Sequence, residues 1–234
     1  MKGTFYVPGS STKEEFLRYY ALKYYTVDSK YVSKYVEDEI SEMLRRGIQS
    51  EQDIIKILAW KKGKIKQKDS EYQKEFVFHK DWDVGESGKY KENKYQTFAK
   101  NIVARMNNLK KLSFSSPCEV LDELSREAPS SIGTVIIICI LHFMSGGYYP
   151  IYDKYAFVAL NAIHDGISPA DSLYDPLKYT EPPAKSIKDF GKRVFEEKYQ
   201  GYIDKLNKIF GDEYKKKRDI DRALWAYGHE FRIM

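Results

Sequence analysis

Apolar side chains recur every three or four positions along most of this chain, a spacing that brings them onto one face of an α-helix. The alternation of apolar and polar positions that is typical of a half-buried β-strand occurs only in short stretches. The pattern therefore predicts an all-α fold built from many helices. Outside one central stretch, the predicted helices lie at about residues 13–27, 32–44, 50–60, 91–109, 117–127, 185–211 and 219–231.

Residues with strong preferences for helix ends stand at many of these boundaries. Ser11 and Thr12 precede the first predicted helix as candidate N-cap residues, and Ser50 opens the third with the spacing of a capping box. Gly47 is expected to end the second helix, because glycine readily adopts the left-handed conformation found there. Pro117 suits a first helical position, and Pro129 forces the chain out of the preceding helix.

The most apolar run of the chain covers residues 134–144 and is expected to form a helix buried on all sides. It is too short to cross a bilayer, which needs about 20 apolar residues. A break at Ser145, Gly146 and Gly147 follows, and Asp153 then stands at the start of another apolar helix. This order of turn, buried helix, break, carboxylate and helix is the part of the sequence that suggests chemistry.

The length of 234 residues suits one large domain or two small domains packed closely together. The segment at about 69–90 has no clear period and is predicted to be an irregular connection. We therefore expect one domain over residues 1–234. The sequence leaves open a division into two helical subdomains with a cleft between them and a boundary near residues 65–90.

Charge and cysteine content limit the classes of partner and cofactor. The formal net charge is +5, which permits an acidic partner without requiring one. The two cysteines form no Cys-x-x-Cys motif, so neither a cofactor nor a metal site is predicted. Residues 1–15 contain no apolar signal-peptide core, and we expect a cytoplasmic protein that does not bind membranes.

Residues 129–133, here called the hairpin turn, are predicted to join two helices as a helix-hairpin-helix. Backbone N–H groups in such a turn point outward together and form a donor site for a phosphate oxygen, helped by the positive end of the helix dipole. A glycine lets a ligand approach the backbone closely. The residues expected to form this donor site are Ser130, Ser131, Ile132 and Gly133.

This arrangement resembles the helix-hairpin-helix DNA glycosylases of the endonuclease III, adenine-glycosylase and 3-methyladenine-glycosylase superfamily. The family pattern is a leucine-proline-glycine-x-glycine hairpin, a helix, a short break and an aspartate; residues 129–133 and Asp153 match it here. The chain departs from the pattern at Ser131, which replaces the first glycine, and at Val135, which stands where lyase-competent members have a lysine. No four-cysteine cluster follows in the sequence.

The resemblance implies a glycosylase-like core that binds double-stranded DNA and flips a damaged nucleotide out of the duplex. Asp153 would be the catalytic carboxylate of a monofunctional N-glycosylase, a hydrolase that stabilises an oxocarbenium-like sugar. The residues that would stack on a base are Tyr148, Tyr149 and Tyr152. The residues that would contact phosphates are Lys61, Lys62, Lys64, Lys215, Lys216, Lys217 and Arg218.

Each of these assignments has a simpler structural alternative. Asp153 is also a favoured N-cap residue, and a hairpin also joins two helices that merely pack together. Tyrosines more often line helix seams, lysine runs are more often solvated, and His142 is expected to be a hydrogen-bonded core histidine. Two alternatives to an enzyme therefore remain: a glycosylase-like fold that binds DNA or protein without catalysis, and a helical structural protein without a nucleic-acid role.

Overall fold

The computed structural model describes residues 3–27, 34–61, 65–67, 76–78, 94–169, 198–215 and 218–231. Over these residues the chain forms ten α-helices, and the predicted all-α fold class is confirmed. One antiparallel ribbon, which the sequence pattern did not predict, pairs β1 (Ile65–Gln67) with β2 (Phe76–Phe78). The first part of the helix predicted at 185–211 lies outside the described residues.

The helices follow the chain in three groups. The first group is α1 (Lys13–Val27), α2 (Lys34–Arg46) and α3 (Glu51–Lys61). The middle group is α4 (Lys94–Ala104), α5 (Met106–Ser115), α6 (Pro117–Glu127), α7 (Thr134–Met144) and α8 (Lys154–Asp165). The last group is α9 (Gln200–Phe210), a short 3-10 helix (Gly211–Lys215) and α10 (Arg218–Gly228).

Local hydrogen bonds explain why several helices begin and end where the sequence predicts. The Thr12 hydroxyl accepts a hydrogen bond from the Glu15 N–H and donates one to the Glu15 carboxylate, which stabilises the start of α1. The Ser50 hydroxyl accepts the Asp53 N–H at the start of α3. Gly47 follows α2 with a φ of +76°, a left-handed conformation that glycine adopts at little cost.

The prediction of one helix over about residues 91–109 is wrong, because two helices meet at Arg105. α4 ends at Ala104 and α5 begins at Met106. The Arg105 guanidinium reaches across to α6, where it pairs with Glu123 and Glu127. The apolar period of the segment continues through the break, so the sequence pattern gives no sign of it.

Helices from the two ends of the described chain pack against each other. α1 lies along α10, and α10 also packs against α8. Phe16 and Tyr20 of α1 contact Tyr227 of α10 through edge-to-face ring pairs. These rings belong to the same cluster of buried side chains as α7, so the core extends from the first helix to the last one described.

α7 occupies the interior, as its apolar sequence predicts. Every residue of this helix except Val135 is buried, and α2, α3, α5 and α6 all contact it. The position of α7 therefore fixes the hairpin turn at its N-terminus and the break at its C-terminus. No helix in the described part of the chain combines the length and apolar character that a membrane span requires.

Candidate functional site

The hairpin turn joins α6 to α7 at the protein surface. Ser130, Ser131 and Gly133 are exposed, whereas the Ile132 side chain is buried and anchors the turn to the core. The Ile132 N–H donates to the Pro129 carbonyl at 2.8 Å, so this amide is used within the turn. Gly133 precedes α7 without a capping side chain and has nothing within 4 Å of the position of a Cβ.

Asp153 is the N-cap residue of α8. Its Oδ1 atom accepts hydrogen bonds from the N–H groups of Tyr155 and Ala156, each at 3.0 Å. Amides in the first turn of a helix have no partner within the helix, and a capping aspartate satisfies them. The residue is only 9% exposed, so the surroundings of its second oxygen decide what chemistry the carboxylate can perform.

The second oxygen of Asp153, Oδ2, faces Lys61, the last residue of α3. The Lys61 ammonium donates to Oδ2 at 3.3 Å, and the two side chains are 14% and 13% exposed. Burial lowers the pKa of Lys61, but the negative charge of Asp153 and its hydrogen bond to the ammonium outweigh that effect and hold the pKa above its ordinary value. Lys61 therefore keeps its proton, and both oxygens of Asp153 have a donor.

The surroundings of this ion pair include an aromatic ring, a thiol and a second cation, Arg218, whose charge lowers the pKa of Lys61. The Lys61 ammonium lies 5.0 Å from the ring centre of Trp60. The Cys139 thiol of α7 is also close, and burial raises the pKa of this thiol to about 11, so it is neutral at physiological pH. In such surroundings the charges of Lys61 and Asp153 act on each other more strongly than they would in water.

The three tyrosines that precede Asp153 occupy different environments. Tyr148 is 43% exposed and packs edge to face with Phe114 of α5, while the Lys215 ammonium lies 4.6 Å from its ring centre. Tyr149 and Tyr152 are buried, and the ring of Tyr152 packs within the core. Of the three, Tyr148 has a ring surface that a base could reach in this conformation.

The hairpin turn and Tyr148 lie beyond opposite ends of α7. A helix of 11 residues is about 16 Å long at 1.5 Å per residue. The hairpin turn contacts α4 through a 2.6 Å hydrogen bond between the hydroxyls of Tyr95 and Ser131. The hydrogen bonds of Asp153 are instead with Lys61 of α3 and with its own helix. Its charge, in addition to burial, raises the pKa of Cys139 in the middle of α7.

The basic residues predicted to contact phosphates are mostly engaged within the protein where they are described. Arg218 is 8% exposed and pairs with Glu37 of α2 and with Asp221 of its own helix. Lys215 pairs with Asp212 and keeps part of its side chain exposed. Four others lie outside the described residues: Lys62, Lys64, Lys216 and Lys217.

A buried polar network that the sequence pattern did not predict joins α1, α2 and α10. Glu37 is fully buried, accepts a hydrogen bond from the Tyr24 hydroxyl at 2.6 Å and receives another from Arg218 at 3.3 Å. In the sequence, the burial of Glu37 was indicated by its helical position, which shares a face with Ile40 and Leu44.

No protein-family model, curated protein or solved structure matches this chain.

Proposed function

We propose that this chain binds duplex DNA through the hairpin turn and that Asp153 promotes hydrolysis of the N-glycosidic bond of a nucleotide extruded from the duplex. The observation that carries the proposal is the Asp153 carboxylate, which is nearly buried, held by two helix amides and paired with a protonated Lys61. A carboxylate fixed in partly dry surroundings stabilises a developing positive charge more strongly than one in water.

Support for DNA binding comes from the hairpin turn. Its exposed serines and glycine lie at the N-terminus of α7, where backbone N–H groups and the helix dipole favour a phosphate oxygen. The open space beside Gly133 leaves room for a sugar–phosphate chain to approach the backbone. The net charge of +5 also favours encounter with a polyanion.

In the proposed reaction, the bond between C1′ and the base nitrogen breaks, and its electron pair leaves with the base. The Asp153 carboxylate stabilises the oxocarbenium-like sugar that forms. The departing base takes up a proton from solvent. A water then adds to C1′ and releases one proton to solvent, so the overall hydrolysis balances. Lys61 is protonated, so it orients the carboxylate and does not act as an amine nucleophile.

DNA binding is tested with Gly133→Glu, which adds a negative charge at the open position of the hairpin turn. The backbone there has a φ of −84°, which any residue tolerates. We expect the affinity for duplex DNA to fall about tenfold or more, because the new carboxylate repels the phosphate chain.

Gly201→Glu is the matched control, since Gly201 on α9 also has nothing within 4 Å of its Cβ position. It makes the same charge change away from the hairpin turn and should leave binding nearly unchanged. An equal loss in both variants, or wild-type binding that does not weaken as salt rises, would contradict binding through this turn.

The chemistry is tested by base release from duplexes that contain uracil, hypoxanthine or an alkylated purine. Asp153→Asn keeps an oxygen that can accept the two helix amides but removes the negative charge. We expect release to fall by about a hundredfold or more while the protein stays folded. Undiminished release by this variant would show that another group performs the reaction.

Borohydride reduction provides a second readout of the same reaction. We expect it to trap no covalent protein–DNA adduct, because position 135 is a valine and Lys61 holds its proton. A trapped adduct would contradict a hydrolysis without a covalent intermediate and would point to a lysine nucleophile.

A second candidate function is DNA binding without base release. Both Asp153 oxygens already accept hydrogen bonds within the protein. An N-cap residue with a purely structural role and a nearby counter-ion has the same arrangement, and this favours the second function. Salt-sensitive binding to duplex DNA, together with no release from any of the three lesions, would support this function. Absence of both binding and release would leave a helical protein without a nucleic-acid role.

A further inference from the structure

Two exposed aromatic rings meet at the protein surface beyond the C-terminal end of α7. Phe114, near the end of α5, is 60% exposed, and its ring centre lies 5.9 Å from that of Tyr148. The ring planes meet at 68°, so their faces point in different directions. Phenylalanine is among the residues most often buried, and adjoining exposed rings, unlike scattered ones, form a patch that a partner can cover.

The loop that carries Tyr148 is packed closely against the 3-10 helix. A Cβ atom built at Gly147 would lie 2.7 Å from the backbone oxygen of Lys215. Tyr149 is buried, and its ring packs edge to face against Tyr148 with the ring centres 5.0 Å apart. These contacts hold Tyr148 in place from the protein side, so a ligand that stacks on its ring has little side-chain motion to restrict.

Lysine side chains flank the two rings. Lys111 is exposed on α5 and lies three residues before Phe114, a spacing that makes two side chains neighbours on a helix surface. The Lys215 ammonium lies 4.6 Å from the ring centre of Tyr148. Asp212 partly balances the charge of Lys215, whereas Lys111 has no ion-pair partner among the described residues. The patch therefore combines open rings with positive charge.

We propose that this patch binds a single-stranded nucleic acid. Bases stack on the open ring surfaces of Phe114 and Tyr148, while the ammonium groups of Lys111 and Lys215 contact the phosphates of the strand. This inference goes beyond the proposed function and does not depend on it, because it concerns an unpaired strand and a surface at the other end of α7 from the hairpin turn.

The chemistry of the patch favours a nucleic acid over a peptide. The rings project from a helix and a loop, whereas a peptide that adds to a sheet needs an open strand edge. Phe114 has no polar side-chain atom, so it contacts a base through its ring face, and such stacking tolerates any base sequence. Flat groups that alternate with negative charges are the repeat of a nucleic-acid strand, and rings beside lysines complement both parts of that repeat.

The probe is a fluorescein-labelled thymidine strand of about 12 nucleotides, a length within the usual site sizes of such surfaces. Two polyanions of the same length serve as comparisons: a strand with abasic sites in place of the thymidines, and a peptide of aspartates. Fluorescence anisotropy with the full chain at low salt gives the three affinities. We expect the thymidine strand to bind about tenfold or more tightly than the others, because it alone carries bases that stack.

Substitution of the rings tests the stacking directly. We expect Phe114→Ala and Tyr148→Ala each to weaken binding of the thymidine strand about tenfold, and Phe114→Trp to preserve it, because indole offers a larger stacking surface. Leu22→Ala is the matched control, since Leu22 on α1 is a large apolar side chain with similar exposure to Phe114. It should leave binding nearly unchanged.

The phosphate contacts are tested through the dependence of binding on salt. The logarithm of the affinity for the thymidine strand should fall linearly with the logarithm of the salt concentration, and Lys111→Ala should reduce the magnitude of this slope by about 0.7. Lys100→Ala makes the same change at an exposed position on α4 and should leave the slope as it is. Equal slopes in the wild-type protein and Lys111→Ala would contradict a phosphate contact at this residue.

Four further results would overturn the proposal. They are no binding of the thymidine strand to the folded protein, equal binding of the thymidine and abasic strands, an equal loss in Phe114→Ala and Leu22→Ala, and tighter binding of the aspartate peptide, which would identify an acidic protein as the partner. The comparison of the three probes on the wild-type protein decides the question even if a variant does not fold.

Gly133→Glu separates this patch from the hairpin turn. It should leave binding of the thymidine strand nearly unchanged, and a tenfold loss would place the strand at the hairpin turn and overturn the proposal. Because the thymidine strand contains neither a duplex nor a lesion, failure here leaves the proposed glycosylase function untouched. Failure of duplex binding or of base release likewise does not bear on this patch.

Discussion

At the scale of single residues, buried polar groups control how the protein responds to pH. His142 is neutral in the folded protein because burial lowers its pKa to about 3, whereas an unfolded histidine titrates near 6.5. Between these two values the unfolded chain binds a proton that the folded chain does not. Stability is therefore fully present above about pH 6.5 and is lost as the pH falls toward 3.

We predict that His142→Gln removes this contribution. In the wild-type protein the free energy of unfolding should fall by up to about 1.4 kcal/mol per pH unit below the unfolded histidine pKa. Urea unfolding between about pH 5 and pH 7 measures this slope in a range where most carboxylates remain ionised. The variant should show a flatter dependence than the wild-type protein; identical slopes in the two proteins would contradict the assignment.

A second residue-scale prediction concerns the crossing of α8 and α10. A Cβ atom built at Gly228 would lie 2.1 Å from the backbone oxygen of Tyr155, so an alanine there must push the two helices apart. We expect Gly228→Ala to destabilise the protein by about 3 kcal/mol or more.

Gly201→Ala is the matched helical control for this substitution. No atom lies within 4 Å of its Cβ position, so the alanine should stabilise α9 by up to about 1 kcal/mol through helix propensity. Thermal and urea unfolding of both variants measure the difference. Equal stabilities would mean that the backbones of α8 and α10 are not in close contact at Gly228.

At the scale of elements, Asp153 couples the start of α8 to the end of α3. Removing the carboxylate has two separate costs: the loss of the helix cap, about 1 kcal/mol, and the loss of the partner of Lys61, whose side chain is 14% exposed, about 2 kcal/mol. Asparagine keeps the cap and loses only the charge, whereas alanine loses both. We therefore predict that Asp153→Ala destabilises the protein more than Asp153→Asn does.

The Lys61→Met background separates these two costs. Methionine keeps much of the apolar length of lysine but removes the buried cation. In this background Asp153→Asn should be nearly neutral, because no unpaired ammonium remains, and urea unfolding of the four proteins gives the coupling free energy. A coupling near zero would show that the Lys61–Asp153 contact contributes nothing to stability.

The sequence predicted a feature correctly where the interactions that determine it lie within a few residues along the chain. The starts of α1, α3 and α8 were predictable because Thr12, Ser50 and Asp153 bond to amides within their own first turn. The break at Arg105 was not, because the apolar period continues through it and neither a glycine nor a proline marks the position. The pairing of Lys61 with Asp153 joins segments far apart in the chain, so a spacing argument could identify the acid but not its counter-ion.

At the scale of the whole molecule, the contacts of α1 with α10 and of α10 with α8 join distant parts of the chain into one core. We therefore expect a single unfolding transition in calorimetry, with equal calorimetric and van't Hoff enthalpies. Two resolved transitions would instead favour two subdomains with a boundary near residues 65–90.

Removal of one ring between α1 and α10 tests the same coupling. Tyr227 is fully buried and contacts both Phe16 and Tyr20, so Tyr227→Ala should cost about 3–5 kcal/mol and lower the whole transition without splitting it. Tyr19→Ala, at a ring that is partly exposed on α1, should cost much less. A transition that splits in the Tyr227 variant would mean that the two ends of the chain unfold separately.

Because α10 covers α1, the buried face of the first helix cannot be covered during synthesis on the ribosome until α10 has been made. Roughly 190 residues separate them, and at about 5–20 residues per second the delay is on the order of 10–40 s. For that time Phe16, Tyr20 and Tyr24, which are buried in the finished protein, stay open to solvent on the nascent chain. Chaperones bind nascent chains that expose such aromatic side chains. The core of this protein can form completely only after α10 has left the exit tunnel of the ribosome.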